Sequence, residues 1–295
     1  MLKKYKEELT EYVKNNQKKL NGIFADSWND ISSKDEIHQL KDFLLKENVG
    51  IKYINDQLNK IINDYFSIRF NAVFSHSSPK VSFEYQNESI SRELADLLVI
   101  LRINEYSTES KTLYSSSFLS QWKLNHNDNQ NKGQEYLYDF AADFSMPMWI
   151  AGQNVADRKR LFDNRTSSLN FFYLDDRTFL KRPAGRPSLS FSQLLINLLS
   201  LNYGLKFDNN VWTNNIQYTS NWSRIMDDLI NKVGRTRNIR GTEQPKLIEY
   251  LISSEPYYYH IDNEGIVDNN DKRFQSTLII DINFSRKLKV KEILK

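Results

Sequence analysis

At 295 residues, 40% hydrophobic and 13% aromatic, the chain has ample apolar material for a buried core and too many rings for a disordered segment. It has no cysteine, which excludes disulfides, thiolate metal sites and thiol nucleophiles. A net charge of +3 is only mildly basic, so a nucleic-acid partner is permitted but not implied, and the clustering of charge decides the matter.

Residues 1 to about 20 are rich in Lys, Glu and Gln and read as a polar helix. The opening Met1-Leu2-Lys3-Lys4 has no apolar core of the signal-peptide kind. The longest apolar run, Leu97 to Leu101, is too short to cross a bilayer. A cytoplasmic protein without membrane contact is therefore expected. Ser33 and Glu36 stand at capping-box spacing and predict a second helix with Ile37, Leu40 and Leu44 on one face, stopping at Gly50. A third helix is predicted from about Lys52 to Phe66, striped by Ile54, Leu58, Ile61, Ile62 and Tyr65.

The period then shortens. Phe70 to Tyr85 alternates toward its end (Val81, Phe83, Tyr85) and suggests a hairpin arm. Leu94 to Ile103 is a nearly continuous aliphatic run, as expected of a central strand buried on both faces. After a loop over 104–111, Leu113 to Leu124 offers the next strand. Gln134 to Phe144 reads as helix, and Met146 to Ile150 and Asn170 to Leu174 read as extended. Lys181-Arg182-Pro183-Ala184-Gly185-Arg186-Pro187 resembles a stiff basic linker. Beyond it come an apolar helix over 189–203, another from Trp222 to Val233 ending at Gly234, a segment from Lys246 to Ser253, and a final strand from Ser276 to Asn283. The organisation expected is a helical N-terminal segment over 1–66, a core over 67–180 and an α+β C-terminal region over 188–295. The fold class is α/β (α+β), a mixed central sheet flanked by helices.

Several chemistries drop out. The nine glycines are dispersed and form neither a dinucleotide-binding nor a P-loop fingerprint. His38, His76, His126 and His260 stand singly, with no paired metal-ligand spacing, and no serine-nucleophile elbow is present. Carboxylate and lysine chemistry survives. Cleaving a phosphodiester calls for a hard divalent cation on carboxylate and amide oxygens, with a lysine to orient water and oppose developing negative charge. A spacing of two places an acid or amide and a lysine on one face of a strand. Asp96 opens the aliphatic run, and Gln121-Trp122-Lys123 ends the apolar strand that follows it. Glu93, three residues earlier, adds a second carboxylate if the strand entry is bulged. Other triplets of this form, such as Gln17 to Lys19 and Glu109 to Lys111, lie in polar helices or loops.

With its Glu93-Leu94-Ala95-Asp96-Leu97-Leu98 and Gln121-Trp122-Lys123, the chain resembles the PD-(D/E)XK, restriction-endonuclease-like nuclease superfamily, in its bacterial members with glutamine for the second acid. Gln134 to Tyr138 is similar to a helix start that follows this strand in some of them. The resemblance covers about residues 60 to 145. Alanine, not proline, precedes Asp96, and the acid carried on the helix before the core has only Asp56 and Asp64 as candidates. The resemblance implies a restriction-endonuclease-like sheet. It also implies a Mg2+- or Mn2+-dependent endonuclease acting on DNA, in which Asp96, Gln121 and Glu93 hold the metal and Lys123 orients the attacking water. It further implies a setting in antiviral defence, with a protein partner in a multi-subunit system. The basic residues expected to grip the phosphate backbone are Lys181, Arg182, Lys232, Arg235, Arg237 and Arg240. The cluster Asp157-Arg158-Lys159-Arg160 is expected to be a solvated loop. The alternative is a catalytically inactive nuclease fold that binds DNA or joins a protein complex.

Overall fold

The computed structural model describes residues 1–32, 35–61, 65–75, 79–106, 111–125, 132–182, 188–213, 217–232, 258–261 and 276–285. Four helices come first: α1 (Leu2–Asn15), α2 (Gln17–Asp26), α3 (Glu36–Leu45) and α4 (Gly50–Leu58). The single polar helix expected at the start is thus two, broken at Asn16, whose φ and ψ of −108° and 11° leave the helical region. Asp35 caps α3, its carboxylate accepting the His38 N–H, and Ser33 lies outside the described residues. Gly50 does not end that helix. It opens α4 at a φ of +53°, and a Cβ there would meet the Phe43 carbonyl oxygen at 1.8 Å, so only glycine fits. Helix α4 is also shorter than predicted, because Phe66 already belongs to a strand.

The strands follow as β1 (Phe66–Ser75), β2 (Lys80–Tyr85), β3 (Glu88–Glu93), β4 (Leu97–Tyr106) and β5 (Lys111–Lys123). Then come α5 (Lys132–Asp139), β6 (Phe144–Ser145), α6 (Met148–Ala151), α7 (Val155–Arg158), β7 (Lys159–Arg160), α8 (Arg165–Ser168), β8 (Leu169–Tyr173) and β9 (Thr178–Lys181). The chain continues through β10 (Leu189–Ser190), α9 (Phe191–Leu199), β11 (Leu205–Lys206), α10 (Asn221–Asp227), a π-helical turn over 228–232, β12 (Tyr258–Ile261) and β13 (Thr277–Ser285). Residues 148–150, expected to be extended, instead form the short helix that begins after Pro147. The hairpin arm is β2 paired with β3, while β1 lies in the central sheet.

A nine-stranded mixed sheet runs β10-β9-β8-β5-β4-β13-β1-β12, with β11 added to β5. The C-terminal strand β13 sits between β4, to which it is parallel, and β1, to which it is antiparallel. The region beyond residue 188 therefore contributes a central strand to the sheet that carries the candidate site. A smaller sheet runs β3-β2-β6-β7.

Helices α1 to α4 and α9 cover one face of the large sheet, burying Leu97, Val99, Leu101, Phe118, Trp122, Ile280 and Ile282. Trp28 stacks on Phe43 and stands 5.7 Å from Trp122 and 5.2 Å from Phe172, centroid to centroid. The other face packs Leu98, Ile100, Leu119 and Ile279 against α5, α6, α10 and the small sheet. Strand alternation sorts these residues: odd positions of β4 face the first layer and even positions the second.

Candidate metal and phosphodiester site

Asp96 lies one residue before β4, on the face shared by Leu98 and Ile100. Its own N–H donates to the Ser120 carbonyl at 3.0 Å, which extends the β4–β5 ladder and sets Asp96 beside Gln121. Gln121 and Lys123 share the parity of Leu119 and point to that same side of β5. Trp122, between them, points the other way into the aromatic core. Glu93 comes from the end of β3 in the smaller sheet, not from a bulge in β4. The four sequence-predicted residues Glu93, Asp96, Gln121 and Lys123 therefore meet at one end of the large sheet, where β1 and β5 finish and β4 begins.

A cavity of about 320 Å³ opens there. Glu36 and Ile37 of α3, Phe74 of β1, Glu93, Asp96, Lys123 and Gln134 of α5 contribute to its walls. Glu36 was not singled out as a site residue from the sequence, where it reads as half of a capping box. It accepts the Leu124 N–H at 3.1 Å on Oε1, and its Oε2 stands 4.0 Å from Lys123 Nζ. Of the two acids expected on a preceding helix, Asp56 is exposed on α4 and does not line the cavity, and Asp64 lies outside the described residues.

The electrostatics are strained in one direction. Burial raises the Asp96 carboxyl to about 6, and the nearby Glu93 charge adds to the rise. The Lys123 ammonium and the Trp122 N–H, which donates to Oδ2 at 2.7 Å, act against it. Gln121 is fully buried. Its Nε2 donates to the Glu93 carbonyl at 3.1 Å, while its Oε1 has no hydrogen-bond partner among the described residues. A buried amide oxygen left unpaired carries the desolvation cost of the group with no return. Tyr138 of α5, also buried, donates to the Leu94 carbonyl at 2.8 Å and holds the entry to β4. Burial pushes its phenol well up, and the Asp96 charge adds to this.

No three His, Cys, Asp or Glu side chains among the described residues come close enough together to hold a metal ion between them. The donor set at the sheet end still suits a hard cation that keeps much of its own water. It offers the desolvated Asp96 carboxylate, the unpaired Gln121 amide oxygen and the Glu93 carboxylate at the rim.

The basic residues fall into different places. Arg182 is buried, donates from Nε to Asp139 at 2.7 Å and lies over the Phe171 ring. Lys232 bonds Asp228 at 2.7 Å and Asp227 at 3.1 Å; burial, the largest single effect, lowers its pKa, but the two carboxylates together outweigh it and leave the pKa raised. Both therefore spend their charge within the fold, where a grip on phosphate had been expected. Lys181 sets its ammonium 4.9 Å from the Tyr203 ring centre. Arg235, Arg237 and Arg240 lie outside the described residues. The cluster at 157–160, expected to be solvated, is part structural: Arg160 is buried on Asp228 at 2.6 Å, and Arg158 donates to the Met146 carbonyl.

Fold and site together define a mixed α/β protein with a carboxylate–amide–lysine cavity at the end of its central sheet. Compared with models of protein families, with curated proteins and with solved structures, the chain matches none of them. Among the described residues, no helix is long and apolar enough to cross a membrane.

Proposed function

We propose that this chain is a metal-dependent nuclease of the restriction-endonuclease-like kind, hydrolysing phosphodiester bonds in DNA. The observation that carries the reading is the meeting of Asp96 and Lys123 in one cavity, with Gln121 buried next to Asp96 on the neighbouring strand and its amide oxygen unpaired among the described residues. Asp96 and Gln121, with Glu93, would hold a divalent magnesium or manganese ion. Such an ion supplies charge neutralisation at the phosphate and a nucleophile from water at neutral pH. Lys123 presents its ammonium from the neighbouring strand, where it orients water and opposes the negative charge that grows on the phosphate. Glu36 holds that ammonium from the far side of the cavity. Tyr138 and the buried Asp139–Arg182 pair fix α5, and with it Gln134, against the site. A place in antiviral defence, with a protein partner, belongs to the proposal through the sequence resemblance.

A second reading keeps the fold and drops the catalysis, leaving a DNA-binding or scaffold subunit. It is favoured by the absence, among the described residues, of any three His, Cys, Asp or Glu side chains placed to hold a metal ion together. Incubation with DNA in magnesium, in manganese and in chelator separates the two. Cleavage is expected with either metal, and Lys123→Ala is expected to slow it roughly 100- to 1000-fold while the chain stays folded. DNA left intact in every metal, or cleavage untouched by Lys123→Ala, ends the catalytic reading.

A further inference from the structure

Helix α5 carries a second surface beside the cavity. Gln134 in its first turn lines the cavity, whereas Tyr136 stands beside Phe140, the residue that follows the helix and donates its N–H to the Tyr136 carbonyl at 2.8 Å. Tyr136 lies parallel to Phe83 of β2 with ring centres 6.3 Å apart, and meets Tyr85 edge-on at 5.0 Å. Phe140 extends this row at 5.9 Å from Tyr136 and is 68% exposed. Its ring is the outer end of a braced aromatic row and not a lone surface residue.

The other end of α5 brings cations. Gly133 lacks the Cβ that would meet Arg92 Nε at 2.9 Å and Ile90 Cδ1 at 3.1 Å, so the exposed Arg92 can lie across the first turn of the helix. Arg92 adjoins Glu93 in sequence, and the exposed Lys132 opens α5. From Gln134 to Asp139, where α5 ends, the helix rise spans about 7.5 Å, and Phe140 follows directly, a separation neighbouring nucleotides can bridge.

The geometry points to a single-stranded nucleic acid as the substrate of this site. One phosphate lies at the cavity, Arg92 and Lys132 hold flanking phosphates, and a neighbouring base stacks on Phe140. The inference rests on the nuclease reading. It follows because a base in a duplex has its faces covered by its neighbours and offers Phe140 nothing to stack on, whereas an unpaired base does. The cavity agrees in size, since about 320 Å³ is a pocket for one small group and not a groove for a duplex. Its walls also carry three carboxylates, Glu36, Glu93 and Asp96, which repel a second phosphate backbone.

The test measures binding apart from cleavage. A labelled oligothymidylate and a duplex of equal length are titrated with the full chain in chelator, and affinity is followed by fluorescence anisotropy over a range of salt. The single strand is expected to bind at least about tenfold more tightly than the duplex. Phe140→Ala should weaken it roughly tenfold, the scale of one stacked base, and Phe140→Tyr should restore it. Arg92→Ala should lower the slope of log affinity against log salt by about one. Equal or tighter binding of duplex overturns the inference. So does an unchanged single-strand affinity in Phe140→Ala, which would assign the ring to a protein contact. In metal, faster cleavage of duplex than of single strand overturns this inference and leaves the nuclease reading standing. Single-strand binding without cleavage of any substrate ends the nuclease reading, and the single strand is then a bound ligand and not a substrate.

Discussion

The two faces of the central sheet are built on different terms. The face under α1 to α4 and α9 is mostly apolar, broken by Ser116, Ser120 and Asn170, and its largest side chains are rings: Trp28, Phe43, Trp122, Phe172 and Phe191. The opposite face is apolar only in its middle. At one end it carries Asp96, Gln121 and Lys123. At the other, Arg102 of β4 forms a two-point ion pair with Asp281 of β13 at 2.6 and 2.8 Å, and Asn71 and Asn104 each donate to the same carboxylate at 3.1 Å. One polar end is fully satisfied. The other has a desolvated acid and an unpaired amide oxygen. Unpaired buried atoms also occur on the ring-packed face, Trp28 Nε1 and Trp122 Nε1 among them. The sheet end is set apart because its unpaired oxygen stands beside a desolvated acid that lines a cavity.

Three single substitutions and one double variant sharpen or break this contrast. On the ring-packed face the loss should follow the volume removed. Trp122→Ala is expected to cost about 4 kcal/mol in denaturant unfolding, and a cost near that of a surface change would show that the face is not close-packed. On the satisfied polar end the loss should follow the partner left behind. Asp281→Ala strands a buried guanidinium and is expected to cost about 3 kcal/mol, whereas replacing Arg102 and Asp281 together by Met and Leu should restore most of it. If the double variant is no better than the single one, the pair is needed in itself.

The unmatched end should respond in the opposite sense. In the folded chain the Asp96 carboxyl keeps its proton up to about pH 6, and in the unfolded chain it releases it near 3.8. Between those values the folded chain binds more protons, so stability falls as pH rises through the window and the deficit is complete above it. In chelator, Asp96→Asn is therefore expected to stabilise the protein at pH 7.5 by on the order of 2 kcal/mol, and to change little at pH 3.5. Thermal unfolding at the two pH values measures this. A destabilised variant at pH 7.5 would mean that attraction to Lys123 outweighs burial.

Much of this contrast could be read from the sequence, and for definite reasons. Strand β4 was visible because burial on both faces removes polar residues from both parities, leaving Leu97 to Leu101 unbroken. Asp96, Gln121 and Lys123 could be grouped because a period of two is rigid over short runs. Glu36 could not be seen as part of the site. Its place depends on where α3 ends up across the sheet, and nothing local encodes that. Arg182 looked free because its partner Asp139 is 43 positions away. Lys232 was legible and was missed, since Asp228 stands four residues before it on the same turn-to-turn spacing. Met146 to Ile150 looked extended, but Pro147 stands at the start of a short helix, a place prolines favour.

The position of β13 has a consequence for how the protein is made. Arg102 and Asp281, bonded side by side in the finished sheet, are 179 positions apart in the chain. A ribosome therefore delivers β1 and β4 long before the strand that belongs between them. Until it arrives, two long apolar strands have open edges facing a gap of one strand's width, and direct pairing of β1 with β4 is the nearest error. Such distant pairing makes folding slow and leaves the nascent chain prone to aggregation. Expression should accordingly depend on chaperone supply and on lower temperature more steeply than the stability of the mature protein would suggest.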